Sequence, residues 1–169
     1  SPFIESDSLG GSDPYSASKA MADIAAQEYS SRPASKPIGI ARAGNVIGAG
    51  DVTKDRLFPD LVRSFVANDQ IVLRFPAAVR PWQHVLDCLQ GYILLLDSLD
   101  SVGSRGPFNF GPPPNREASV RDVVGLALRL LDRDEGMLLH KSPTLHEDAV
   151  LLVDSSRARN ELGWQDAFT

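Results

Sequence analysis

Ile38-Gly39-Ile40-Ala41-Arg42-Ala43-Gly44-Asn45-Val46-Ile47-Gly48-Ala49-Gly50 is the stretch on which the fold turns. Ile38 to Ala41 is short and apolar and follows a proline, as a strand buried inside a parallel sheet would be. It runs directly into a glycine-rich turn, and in open α/β sheets ligands bind beyond the carboxyl ends of the strands. Upstream, Asp13-Pro14 reads as a helix start, a capping carboxylate followed by proline at the first helical position. That helix is expected to reach about Ser30, with Ala20, Ile24 and Ala25 as its apolar stripe, and to end at Ser31-Arg32-Pro33.

Downstream, Leu57, Leu61, Val62, Phe65 and Val66 have helical spacing, with Pro59 tolerable in the first turn. Ile71 to Leu73 reads as a strand, Leu86 to Leu96 as a helix and Phe108 to Phe110 as a small strand stopped by Gly111-Pro112. Val120 to Leu131 reads as an amphipathic helix, Ala149 to Val153 as a strand, and Ser155 to Leu162 as a last helix closed by Gly163. Alternating strands and helices make the class α/β. Only the Ile38–Ala41 strand reads as part of a doubly wound sheet, and the rest as a looser mixed α/β region.

The chain has 169 residues, 43% of them hydrophobic, enough for one core. With 17 Lys+Arg against 22 Asp+Glu its net charge is −5, which argues against a nucleic-acid-binding surface. No apolar run approaches the roughly 20 residues of a membrane span. The single Cys88 cannot form an internal disulfide, which fits a reducing, cytoplasmic setting. His84, His140 and His146 lack metal-ligand spacing, so no metal site is expected.

Tyr15 and Lys19, in Tyr15-Ser16-Ala17-Ser18-Lys19, lie one turn apart on one helix face. A tyrosine hydroxyl ordinarily titrates near 10, too high for a base at neutral pH. A neighbouring ammonium and the positive end of a helix dipole both favour the phenolate. Such a pair can take a proton from a sugar hydroxyl while a hydride leaves the same carbon. The plainer alternative is two surface residues on an amphipathic helix.

The pair resembles the Tyr-x-x-x-Lys motif of the short-chain dehydrogenase/reductase family, and its surroundings resemble the extended branch that acts on sugar nucleotides. The resemblance continues in order through Arg42-x-x-Asn45-x-x-Gly48, Arg56-Leu57-Phe58-Pro59-Asp60, Arg80-Pro81-Trp82-Gln83-His84-Val85-Leu86-Asp87, Phe108-Asn109-Phe110-Gly111 and Leu162-Gly163-Trp164. The wording is most similar to the CDP-glucose 4,6-dehydratases, particularly in Leu9-Gly10-Gly11-Ser12-Asp13-Pro14-Tyr15. The resemblance implies a C-terminal remnant of a Rossmann-type doubly wound sheet plus a smaller mixed α/β substrate-binding domain. Residues 1–50 would belong to the NAD-binding part, and residues 51–169 predominantly to the nucleotide-sugar part.

The same resemblance implies NAD as cofactor and CDP-glucose as substrate. The reaction would proceed by oxidation at C4, loss of water and return of the hydride to C6. Tyr15 would be the base, and Lys19 would assist it and hold the nicotinamide ribose. The Ala43-Gly44 backbone would approach the nicotinamide, and Asn45 would touch the sugar or phosphate. Leu57 and Phe58, at a helix start, would offer backbone N–H groups to the diphosphate. Arg80 would clamp it bidentately, and Arg74, His146 and Glu147 would lie toward the nucleotide. No residue reads cytosine uniquely. Family members dimerise through the motif helix, so a homodimer is expected.

Plainer roles stand beside these. Asn45 would suit a left-handed turn, Arg80 a surface ion pair, Trp82 and Trp164 packing, and Asp87 a structural cap or pair. The Gly-x-x-Gly-x-x-Gly turn that seats a dinucleotide pyrophosphate is missing, because Gly44, Gly48 and Gly50 have the wrong spacing and follow the wrong strand. The family's Thr/Ser-Asp-Lys segment, which supplies the elimination acid/base pair, is missing as well. Ser1-Pro2-Phe3 offers neither a starting Met nor a signal pattern. The expectation is therefore the C-terminal half of such an enzyme, inactive alone. The alternatives are another epimerase or dehydratase of the family, and a non-catalytic nucleotide-sugar-binding fragment.

Overall fold

A computed structural model describes residues 1–11, 13–32, 36–101, 106–113, 116–134, 138–140 and 148–168. His146 and Glu147 lie outside the described residues.

Helix α1 spans Pro14–Ser30, and Asp13 caps it as expected, accepting from the N–H groups of Tyr15 at 2.9 Å and Ser16 at 3.1 Å. The cap's hydrogen bonds, led by the Ser16 hydroxyl, hold the Asp13 carboxyl below the usual carboxylate range. The expected apolar stripe does not face the core: Ile24 is half exposed, Ala25 is exposed and Ala20 is only half-buried. The reason is a polar seam on the inner face. Arg42 bonds Asp23 there through Nε at 2.7 Å, and the Ser30 hydroxyl donates to the Ile38 carbonyl at 3.4 Å.

Strand β1, Gly39–Ala43, pairs in parallel with β6, Gly106–Phe110, aligning Arg42 with Asn109. Two strands, not one, therefore belong to the parallel sheet. Proline and glycine neighbours make Phe108–Phe110 look too short for this role in sequence, yet β6 is buried from Pro107 onward. The glycine-rich stretch is also not simply a turn. At Gly44 the chain steps to a second parallel ladder, β2 (Asn45–Ile47) with β5 (Trp82–His84). The β-branched pair Val46-Ile47 explains the extended backbone. A Cβ at Gly44 would sit 2.6 Å from the Pro81 carbonyl oxygen, so only glycine fits the step.

Helix α2, Leu57–Ala67, starts where expected and closes on Asn68 in the left-handed region at φ 53°. Strand β3, Ile71–Leu73, pairs in parallel with β8, Leu138–His140. A short antiparallel pair joins β4 (Val79–Arg80) to β7 (Ala118–Ser119). Helix α3, Val85–Ser101, outruns the sequence expectation because no glycine or proline interrupts it after Leu96. Helix α4 spans Val120–Leu130, with a Ser119/Asp122 capping box. Helix α5, Ser156–Leu162, ends on Gly163 at φ 65°, as expected. The expected Ala149–Val153 strand is present only as two isolated bridges, Val150 to Val79 and Val153 to Phe3.

Among the described residues, two apolar cores form. Leu61, Ile71, Leu73, Val124 and Leu128 fill one, beneath α2, β3 and α4. Leu95, Phe108, Phe110, Ala158 and Trp164 fill the other, beneath α3, β6 and α5. Trp164 is fully buried and its indole N–H donates to the Asp87 carbonyl at 2.9 Å, a packing role as expected. The Asp87 carboxylate, 1% exposed, accepts from the backbone N–H of Ala167 at 2.9 Å and of Phe168 at 3.1 Å. Its role is structural, although it holds the C-terminal segment and not its own helix.

Candidate active site

The helix dipole, the Gly44 step and the start of α2 converge on one region. Tyr15 projects from the first turn of α1 and is 67% exposed. It lies on the wall between two concavities. On one side a cleft of about 730 Å³ is lined by Lys19, Gly10, Ala20, Ala41 and Ala43. On the other a cavity of about 520 Å³ is lined by Gly44, Asn45, Leu57, Phe58 and Trp82. Ala43 faces both. A hydroxyl and an ammonium on one helix face, opposite a wall of small side chains, fit the ribose and nicotinamide end of a dinucleotide.

Tyr92 also lines the cleft, but burial, and then its bond with the Cys88 thiol, push its hydroxyl well above the usual phenol range. Tyr15, by contrast, stands open to both concavities.

The Tyr15 cavity continues into a third space of about 270 Å³ that shares Asn45, Arg56, Leu57 and Trp82 with it. Arg80 and Arg74 line this far space only. Arg80 is buried at 5% exposure and donates to the Val79 carbonyl at 2.7 Å, so it does not sit at the surface. Arg74 follows β3 with its side chain exposed. Leu57 and Phe58 open α2, whose N-cap Arg56 makes no side-chain cap bond and leaves the first N–H groups available to an anion.

The structure thus brings Tyr15, Lys19, Ala43, Gly44, Asn45, Leu57, Phe58, Arg74 and Arg80 around one connected region. Arg56 and Trp82 are among the lining residues not singled out for the site. Arg56 sits at the junction of the substrate cavities, and its place immediately before the α2 start was the available signal. Trp82 packs edge-on to Phe58 at 6.1 Å, with its indole N–H donated to the Ala118 carbonyl at 3.0 Å. It is at once a packing residue and part of the cavity wall. Among the described residues no group of three potential metal ligands occurs, and no helix is long and apolar enough to cross a membrane.

Residues 1–111 match the family model for the NAD dependent epimerase/dehydratase family. The chain belongs to this family. It is 41% identical over 172 residues to CDP-glucose 4,6-dehydratase of Salmonella typhimurium, covering 96% of this chain and 48% of that protein. It is 27% identical to dTDP-glucose 4,6-dehydratase of Streptomyces griseus, again covering 98% of this chain and 48% of the relative. The chain spans about half the length of the curated relatives it matches. Its fold superposes, with a TM-score of 0.87 and 25% identity, on DesIV, the dTDP-glucose 4,6-dehydratase of Streptomyces venezuelae solved with NAD; the match covers all of this chain and 51% of that one. The family and the Rossmann-type fold class implied by the motifs are both borne out.

Proposed function

We propose that the protein carrying this sequence is a nucleotide-sugar 4,6-dehydratase that converts CDP-glucose to CDP-4-keto-6-deoxyglucose. The observation that carries this reading is the position of Tyr15, on the wall shared by the Lys19 cleft and the Asn45 cavity. That is where a proton acceptor must stand if cofactor and sugar meet across one helix turn. The 41% identity to a CDP-glucose 4,6-dehydratase supports the choice of nucleotide and sugar.

In this reading Tyr15 takes the proton from the sugar 4-hydroxyl, and Lys19 holds the nicotinamide ribose. The Ala43-Gly44 backbone borders the nicotinamide, and Asn45 hydrogen-bonds the sugar or its phosphate. Bound NAD supplies the hydride acceptor at C4 and the hydride donor at C6, leaving no net redox change. Arg80, Arg56 and the N–H groups of Leu57 and Phe58 grip the diphosphate, with Arg74 beyond them toward the nucleotide. We place His146 and Glu147 at that end also. Residues 1–50 act mainly on the cofactor side and residues 51–169 mainly on the substrate side. Taken alone, the chain holds the substrate grip without a pyrophosphate cradle, and is inactive. The enzyme works in the cytoplasm as a homodimer, and the exposed Met21, Ile24 and Tyr29 of α1 supply the apolar face for pairing.

Incubating the parent protein with NAD and CDP-glucose tests the reading. A 4-keto-6-deoxy sugar supports it. Recovery of the C4 epimer instead assigns the chain to an epimerase of the same family, and turnover of UDP-glucose or dTDP-glucose but not CDP-glucose removes the cytidine assignment.

A further inference from the structure

We infer that Arg74 selects the nucleotide base, reading cytosine against uracil and thymine through its guanidinium. The inference rests on the nucleotide-sugar reading above and adds the group that makes the cavity specific.

The order of the cavities places the base. Residues shared with the Tyr15 cavity (Asn45, Arg56, Leu57 and Trp82) mark the junction, which suits the diphosphate. Ser64, Val72, Arg74, Phe75 and Val120 line the far space and do not line the Tyr15 cavity; Arg80 and Asp60 line it too, so this space takes the end of the diphosphate that Arg80 grips together with whatever lies beyond it. Ile71 and Leu73 are buried at 3% and 1%, whereas Val72 is 49% exposed. By strand alternation Arg74 therefore shares the outer face of this stretch with Val72. Val72 there offers an apolar side chain to a planar ring, and the Arg74 cation lines the same space.

Arg74 is also uncommitted. It makes no hydrogen bond or ion pair among the described residues, unlike Arg42, Arg63, Arg157 and Arg159, each of which bonds a carboxylate. A guanidinium is always protonated, donates only, and presents two parallel N–H groups. The Watson–Crick edge of cytosine offers two adjacent acceptors, O2 and N3, which such a fork satisfies together. Uracil and thymine carry a hydrogen on N3, so the same fork would set donor against donor. A site that loses a charge-assisted bond and faces an unpaired donor discriminates by about tenfold or more.

The test is calorimetric titration of the 169-residue chain with CDP, UDP and dTDP, each at the same salt concentration, with a thermal melt to show that every variant is folded. The expected result is CDP binding at least about tenfold tighter than UDP or dTDP. Arg74→Gln, whose amide can pair with either ring, should bring the three affinities within about threefold of one another. Equal affinities in the unaltered chain, a preference for UDP or dTDP, or an undiminished CDP preference in Arg74→Gln would each overturn the role of Arg74 and leave the nucleotide-sugar reading standing. Failure of the folded chain to bind any of the three would count against that reading itself, and the inference would fall with it.

Discussion

Arg42 holds Asp23 with two bonds, Nε to Oδ2 at 2.7 Å and Nη2 to Oδ1 at 3.1 Å, and the same guanidinium donates to the Glu5 carbonyl at 3.0 Å. One residue thereby ties the helix that carries Tyr15 and Lys19 to the strand that feeds the Gly44 step, and both to the N-terminal loop. The pair is mostly shielded, at 19% and 12% side-chain exposure. Breaking it leaves one charge without its partner.

Asp23→Asn should therefore destabilise the chain by about 2 kcal/mol at neutral pH. Burial works against ionisation of this carboxyl, but the bonds from Arg42 and Gln27 outweigh it and hold the group below the usual carboxylate range. Because the folded-state value is the lower one, the stabilisation is fully present above the unfolded value of about 3.9 and is lost as pH falls through the folded value. Urea midpoints of the two proteins should differ at pH 7 and converge in acid. A constant difference down to pH 2 would show that the ion pair does not contribute in this way.

Gly44→Ala should cost about 1–3 kcal/mol, because the new methyl would meet Pro81 backbone as well as its ring. Relief of that clash would pull on the bonds from Gly44 N–H to the Phe110 carbonyl at 3.3 Å and from Asn45 N–H to the Pro81 carbonyl at 3.0 Å. A melting temperature unchanged from the parent would mean the step between ladders is looser than described.

Asp87→Ala removes the acceptor for two backbone N–H groups near the C-terminus. The expected loss is about 2–3 kcal/mol. Asp87→Asn, which keeps one carbonyl acceptor, should lose less. Denaturant unfolding followed by tryptophan fluorescence reads both, since Trp164 donates to the Asp87 carbonyl.

Arg80→Lys keeps the charge but not the fork. Affinity for CDP should fall by about tenfold or more, with a larger fall for Arg80→Ala. Calorimetry gives both values, and unchanged affinity in folded variants would remove Arg80 from the diphosphate grip.

Local chemistry made much of this legible in sequence. The Asp13-Pro14 cap, the start of α2 and the Gly163 stop depend on neighbours in the chain, and each stands where its residues indicate. Pairing was less legible, because it depends on distant partners: Phe108–Phe110 becomes a core strand through β1, and Trp82–His84 becomes a strand through β2. The stripe on α1 misled for a related reason. Apolar periodicity does not say which face turns inward, and a single arginine from β1 drew the polar face in. In the site, Tyr15, Lys19 and Arg80 carry roles that their motifs imply, whereas Arg56 and Trp82, which stand in the same quoted motifs, belong to the site through the two cavities they line.

Tyr15 as proton acceptor is tested most directly by Tyr15→Phe in the parent enzyme, with turnover of CDP-glucose and binding of CDP-glucose measured on the same preparation. The side chain is exposed and makes no packing contact that phenylalanine would lose, so folding and binding should be retained to within about threefold. Turnover should fall by about 10²-fold or more, the usual scale for loss of a general base. Turnover within tenfold of the unaltered enzyme, with binding intact, would contradict the assignment of Tyr15 and with it the placement of the sugar against α1.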